Sequence, residues 1–136
     1  MDSDTCPLCR RAGEILLWQG PHCRAIAAPQ PHYPAFCRVI WNRHVNEMSD
    51  LPPTQRTQLM AVVWAVEDAL RELLAPIKIN LASLGNQIPH LHWHVIPRFA
   101  DDAHFPDAVW APPRRSGVEH PVDRVALVEA LLHRLS

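Results

Sequence analysis

The stretch His90-Leu91-His92-Trp93-His94-Val95-Ile96 constrains this chain more than any other. Strand side chains alternate between faces, so His90, His92 and His94 share one face and Leu91, Trp93 and Val95 the other. Successive same-face residues lie about 6.6 Å apart, which predicts a row of imidazoles roughly 13 Å long. A strand with one apolar face needs neighbouring strands beside it and a helical layer over that face. The chain supplies the layer. Leu59, Val62, Val63, Val66, Leu70 and Leu73 recur at helical spacing, with Gln55, Arg56, Glu67, Arg71 and Glu72 mostly on other faces. Ser49 or Asp50 followed by Pro52 and Pro53 reads as the start of this helix, and Pro76 as its stop.

The neighbouring strands are legible too. An apolar run over 14–18 closes at the turn signal Gly20-Pro21, and residues 23–28 read as a second strand ended by Pro29, Pro31 and Pro34. Residues 36–41 are β-branched and aromatic enough for a third strand. Ile77, Ile79 and Leu81 alternate as a fourth; Leu84-Gly85-Asn86-Gln87 turns the chain into the fifth, over 90–98. After Ala100 comes an irregular stretch, in which Arg114 and Arg115 read as a solvated loop. A second amphipathic helix over 121–135 then carries Val125, Val128, Leu131 and Leu132. The order β-β-β-α-β-β-α, with short turns favouring antiparallel pairing, predicts an α+β fold. With 136 residues and no linker or repeat, the whole chain 1–136 reads as one domain.

Charge and cysteine usage narrow the function. The chain has 13 Lys+Arg against 14 Asp+Glu, a balance that argues against a nucleic-acid polymer as partner. No apolar run is long enough to cross a bilayer, and the acidic start Met1-Asp2-Ser3-Asp4 is unlike a secretory signal, so the expected location is the cytoplasm. Cys23 and Cys37 fall in predicted strands and read as small buried hydrophobes. Cys6-Pro7-Leu8-Cys9 is different: this spacing suits a tetrahedral zinc that needs further ligands from elsewhere. An empty pair or a redox pair are the other readings, although a thioredoxin-type motif should follow a strand.

Imidazoles at this density suit phosphate, metal or proton chemistry near neutral pH. A metal bound by the whole row is the competing reading, but no carboxylate follows before Asp101. The segment from Gly85 to Arg98 resembles the histidine triad (HIT) family, whose signature alternates histidine with apolar residues. Two further segments agree. Pro34-Ala35-Phe36-Cys37-Arg38-Val39-Ile40-Trp41-Asn42-Arg43-His44 resembles the family's strand ending in Pro-Lys-x-His, and Asn80 stands where the family has a strand asparagine. The resemblance covers about residues 6–98, leaves 99–136 as a C-terminal loop and helix, and is closest in shape to small bacterial members described as dinucleoside polyphosphate hydrolases.

That resemblance implies a five-stranded, mainly antiparallel sheet with one long helix and a C-terminal helix, paired as a homodimer. It implies a nucleotide hydrolase or transferase acting at an α-phosphate through a nucleotidyl-histidine, with His92 as nucleophile. His94 would meet the α-phosphate or leaving group, and Asn80, Gly85, Asn86 and Gln87 would surround the phosphate. Relatives with the Cys pair complete a structural zinc site with the positions of His44 and His90, giving Cys6, Cys9, His44 and His90 here. No organic cofactor is implied. Ala28 departs from the pattern: many relatives carry there an Asp or Asn that holds the ribose, and Ala27 and Ala28 both lack hydrogen-bonding side chains. A slow nucleotide-binding module and a zinc-stabilised interaction protein are the alternative functions.

Overall fold

The computed structural model describes residues 2–28 and 30–136; Met1 and Pro29, which entered the readings of the N-terminus and of the second strand's end, lie outside the described residues. A short helix α1 (Pro7–Arg10) precedes the strands β1 (Ile15–Gln19), β2 (Cys23–Ala27) and β3 (Cys37–Trp41). A 3-10 turn (Met48–Asp50) leads into the long helix α2 (Pro53–Leu74), followed by β4 (Lys78–Ala82), β5 (His92–Arg98) and α3 (Arg124–Leu135). The fold is α+β, and its five strands form one antiparallel sheet in the order β1-β2-β3-β5-β4.

The order places β5 inside the sheet, between β3 and β4, with His94 and Val95 at its centre paired on both sides. In the tight β1–β2 turn the Trp18 ring folds over Gly20, so that a Cβ there would lie 2.3 Å from it and the ring would have to move. Pairing continues past the strand ends, with the Ala28 N–H donating to the Phe36 carbonyl at 2.8 Å.

One face of the sheet is covered by α2 and α3. Ala25, Val39, Trp41 and Val95 from the strands meet Leu59, Val63, Val66 and Leu70 of α2 in a continuous core. Cys23 and Cys37 are buried there, as expected, and burial pushes their thiols up to about 11 and about 12. Among the described residues, no helix is long and apolar enough to cross a membrane.

Several boundaries differ from the sequence reading. Asp50 does not start α2. It caps the 3-10 turn reciprocally with Glu47, and α2 begins at Pro53, where fixed proline φ and a missing N–H cost nothing. Leu73, Val125 and Leu132 are exposed rather than core. The reason is that α3 covers only the flank of α2 and β1, so Leu127 and Leu131 suffice as its buried stripe. Asp123, not Pro121, sets its start by accepting hydrogen bonds from the Val125 and Ala126 backbone. Helix α1 escaped the reading because one turn carries no periodicity.

Candidate active site and metal cluster

The uncovered face of the sheet carries the chemistry. The β3–β5 register sets Ile40 beside His92 and Arg38 beside His94. His92 and His94 are both buried, with ring centroids 4.9 Å apart and planes at 90°. The His92 Nδ1–H donates to the His90 carbonyl at 2.6 Å, since a carbonyl only accepts. That contact fixes the tautomer and leaves the Nε2 lone pair for the cavity. The Ser83 hydroxyl donates to the His92 carbonyl at 2.7 Å and steadies the same backbone.

His94 sits edge-on to Phe36 and Trp110, and its Nδ1 is buried without a partner. An unpaired acceptor costs less than an unpaired donor, which favours the proton on Nε2, the nitrogen left for a ligand. Burial, then the neighbouring His92 and Arg38, lower the His94 pKa to about 4. Burial likewise lowers that of His92, against the hydrogen bond to His90. Both rings are therefore neutral at pH 7.

A cavity of about 410 Å³ opens over these rings, lined also by Gln30, Arg38, Gly85, Asn86, Gln87 and Trp110. Gly85 has φ +70°, a left-handed conformation that lets the 84–87 turn curl over the histidines. Gly85, Asn86 and Gln87 thus line the same cavity as His92 and His94. Asn80 does not line this cavity. It shares the sheet face, but its side chain accepts from Arg98 Nη1 at 2.8 Å and lines an adjacent cleft of about 740 Å³. Trp110 lies between the two hollows and lines both. Ala28 is buried against Tyr33, Phe36, Ile96 and Val109, so its side chain offers no polar group there; Gln30, two residues on, lines the cavity.

His90 is not part of one row. Strand β5 begins only at His92: the Leu91 carbonyl still accepts from the Trp41 N–H, but the Leu91 N–H leaves the ladder for the Val45 carbonyl. The His90 ring turns instead toward the N-terminal cysteines. Its Nδ1 lies 3.4 Å from Cys6 Sγ, 3.5 Å from Cys9 Sγ and 3.1 Å from His44 Nδ1, while Cys9 Sγ lies 3.3 Å from His44 Nδ1. All four ligand atoms fall within 4.8 Å of one another. A tetrahedral cation bonded at about 2.3 Å to sulfur and 2.0 Å to nitrogen has edges of roughly 3.3–3.8 Å, and the four separations just given, 3.1–3.5 Å, lie close to that range. The second nitrogen of His90 donates to the Trp41 carbonyl at 2.6 Å, the outer contact that aims an imidazole ligand. Helix α1 makes the Cys pair converge: the Cys9 and Arg10 N–H groups both bond to the Cys6 carbonyl. Buried Arg24 ties this turn to the sheet through the Leu8 carbonyl, Glu14 and Asn42. Cys6, Cys9, His44 and His90 are thus brought together by the fold as a group that could hold a metal ion.

The loop after β5 is anchored by Asp102. This buried carboxylate accepts from Arg98 Nε at 2.9 Å and from the backbone N–H groups of Phe99, His104 and Phe105. The Tyr33 hydroxyl joins it at 3.2 Å. Burial alone would raise the Asp102 pKa, but Arg98 and the backbone donors outweigh it and hold the carboxyl well below the usual range. Arg114 pairs with Asp107, and Arg115 bonds to the Asp102 and Phe105 carbonyls; both serve the loop and neither lines the histidine cavity. Asp102→Ala is expected to cost about 3–5 kcal/mol, since it strands a buried guanidinium. A carboxyl depressed on folding stabilises above its unfolded pKa and loses that stability as pH falls. Wild-type stability should therefore drop through the acid range more steeply than that of Asp102→Asn, as urea titrations between pH 3 and 7 would show. Parallel slopes would refute the assignment.

Arg38, Gln30 and Trp110 were not singled out from sequence. Arg38 was detectable in principle, as a lone cation alternating onto the imidazole face of a predicted central strand.

Comparison with known proteins follows the same lines. An AP-4-A phosphorylase from Mycobacterium tuberculosis is 28% identical over 97 residues, covering 67% of this chain and 50% of that protein. A bis(5'-nucleosyl)-tetraphosphatase [asymmetrical] from Schizosaccharomyces pombe is 29% identical over 87 residues, covering 60% of this chain and 48% of its own. The chain thus spans about half the length of these curated relatives. Among solved structures, a histidine triad protein from Bradyrhizobium japonicum superimposes with TM-score 0.72 at 28% identity, over 93% of this chain and 94% of its own. A Zn-bound histidine triad family protein from Mycobacterium smegmatis shares the fold at TM-score 0.66 and 23% identity, over 98% and 95% of the two chains. Residues 11–101 match the model of the HIT domain family, and with the strand order and the paired histidines of β5 in place, the chain belongs to that family.

Proposed function

We propose that the protein is a nucleotide hydrolase or transferase that attacks the α-phosphate of a nucleotide conjugate, with dinucleoside polyphosphates and nucleotide phosphoramidates as the substrate class. The observation that carries this reading is the His92 ring, locked by the His90 carbonyl with its second nitrogen left for the cavity. A neutral imidazole so held is a ready nucleophile at pH 7. The Nε2–Pα bond forms as the bond from phosphorus to the leaving group breaks, giving a nucleotidyl-His92. Water or another acceptor then displaces His92 and releases the nucleotide. His94 and the N–H groups of the Gly85-Asn86-Gln87 turn are the donors for the charge that develops on the phosphate oxygens. The names of the two curated relatives support the dinucleoside polyphosphate part of this class.

Incubation with a labelled dinucleoside tetraphosphate or adenosine phosphoramidate tests the reading. Turnover with a trappable nucleotidyl-enzyme is expected. Saturable binding without turnover would favour the slow binding module instead, a reading that the apolar surroundings of Ala28 support.

We also propose zinc as the metal of Cys6, Cys9, His44 and His90. Two thiolates and two imidazoles suit it, and a closed four-ligand set makes it structural, with no position left for substrate. The Zn-bound relative supports the choice. The homodimer is the third part of the proposal. Exposed Trp64 on α2, and Ile77 just before the free edge of β4, are the apolar surface such pairing would cover. Light scattering at micromolar concentration should give twice the mass of the chain; the mass of one chain would sink the dimer.

A further inference from the structure

We propose that Arg38 is the leaving-group residue of this site and selects substrates whose leaving group is a phosphate chain. The inference rests on the α-phosphate reading above and adds to it a specificity that the histidines alone do not supply.

Arg38 stands on β3 directly across from His94, not from His92, so it lies on the His94 side of the cavity. Its guanidinium lines the same hollow as both rings. Among the described residues its side chain has no carboxylate partner and no hydrogen bond; its Nε is buried and unsatisfied, and its central carbon lies 5.9 Å from the Phe36 ring centroid. The other interior arginines are fully partnered: Arg24 by Glu14 and Asn42, Arg98 by Asp102 and Asn80. Each of these holds the fold, whereas Arg38, half-buried and unpaired, lines the open cavity. Burial also lowers its pKa, as desolvation of a cation without a counter-charge does.

The reaction supplies that anion. When His92 attacks, the electron pair of the breaking bond goes to the leaving group. A phosphate leaving oxygen gains a negative charge, which a guanidinium offsets through paired N–H donors. A phosphoramidate leaves instead as an amine that must take up a proton, and a nearby cation does nothing for it. The residue therefore separates the two substrate types that His92 and His94 alone would treat alike.

The test compares wild type, Arg38→Gln and Arg38→Lys on a dinucleoside tetraphosphate and on adenosine phosphoramidate, with inorganic tripolyphosphate titrated calorimetrically. For Arg38→Gln, kcat/KM on the tetraphosphate should fall about a hundredfold, as for loss of one charge-stabilising donor. The loss on the phosphoramidate should be at least tenfold smaller. Arg38→Lys should recover part of the tetraphosphate rate, since charge returns without the fork. Tripolyphosphate should bind wild type at least tenfold more tightly than Arg38→Gln. Equal losses on both substrates would overturn the assignment, leaving Arg38 a role common to every substrate. If wild type turns over neither substrate, the α-phosphate reading fails by itself. Calorimetry then still decides for Arg38: a tenfold difference upholds the anion site and unchanged binding overturns it.

Discussion

His92→Asn is expected to abolish turnover while nucleotide binding survives. The effect should be on the order of 10⁴-fold or more in kcat, because no neighbouring group replaces a lost nucleophile. The geometry leaves little choice of substitute. His90 is turned away toward Cys6 and Cys9. His94 is held at right angles to His92 by contacts with Phe36 and Trp110, and its unpartnered Nδ1 is buried. His94→Asn should instead slow the reaction by about two to three powers of ten and still allow the covalent intermediate to form, since it removes a donor and not the attacking atom. Quench-flow with a labelled nucleotide conjugate separates the cases: no labelled protein for His92→Asn, slow labelling for His94→Asn. Near-normal labelling of His92→Asn would move the nucleophile elsewhere.

The second large effect concerns the metal cluster. Protein purified without chelator is expected to carry close to one zinc per chain, and the double substitution Cys6→Ser with Cys9→Ser to carry none. A metal bound only by the folded chain adds about 4 kcal/mol when present at a thousandfold over its dissociation constant, which for a domain of this size is a melting shift of about 14 °C. The loss should reach catalysis as well. His90 offers its ring to the cluster and its carbonyl to His92, so freeing the ring loosens the contact that orients the nucleophile. Wild type that is metal-free and melts with the double variant would end the zinc proposal.

Much of this architecture was legible beforehand because it rests on local patterns. The alternation through His92, Trp93, His94 and Val95 fixes which side chains share a face of β5, and the apolar spacing from Leu59 to Leu70 fixes a helix to cover the other. Chain order and short turns were enough for the antiparallel pairing of β1 to β3. The metal set was partly legible. Spacing marked Cys6 and Cys9, while His44 and His90 came from family resemblance, being 35 and 81 residues beyond Cys9. The errors fall where local pattern says nothing about neighbours. Val125 and Leu132 look like core in a helical wheel, yet α3 lies on the flank of α2 and β1 and needs only a narrow stripe.

By itself, then, the sequence determined the periodicities: which residues alternate, which recur every third or fourth place, and where proline interrupts them. It could not say that the alternation of imidazoles stops being a strand before His92, because that depends on hydrogen bonds between Leu91 and both Val45 and Trp41. Nor could it pair Arg38 with His94 or send Asn80 to Arg98, since register between strands far apart in the chain is set only when their apolar faces are buried together. Tertiary structure decided how the three histidines divide their work: one bends out of the strand to meet the cysteines, and the two that stay in it share the cavity.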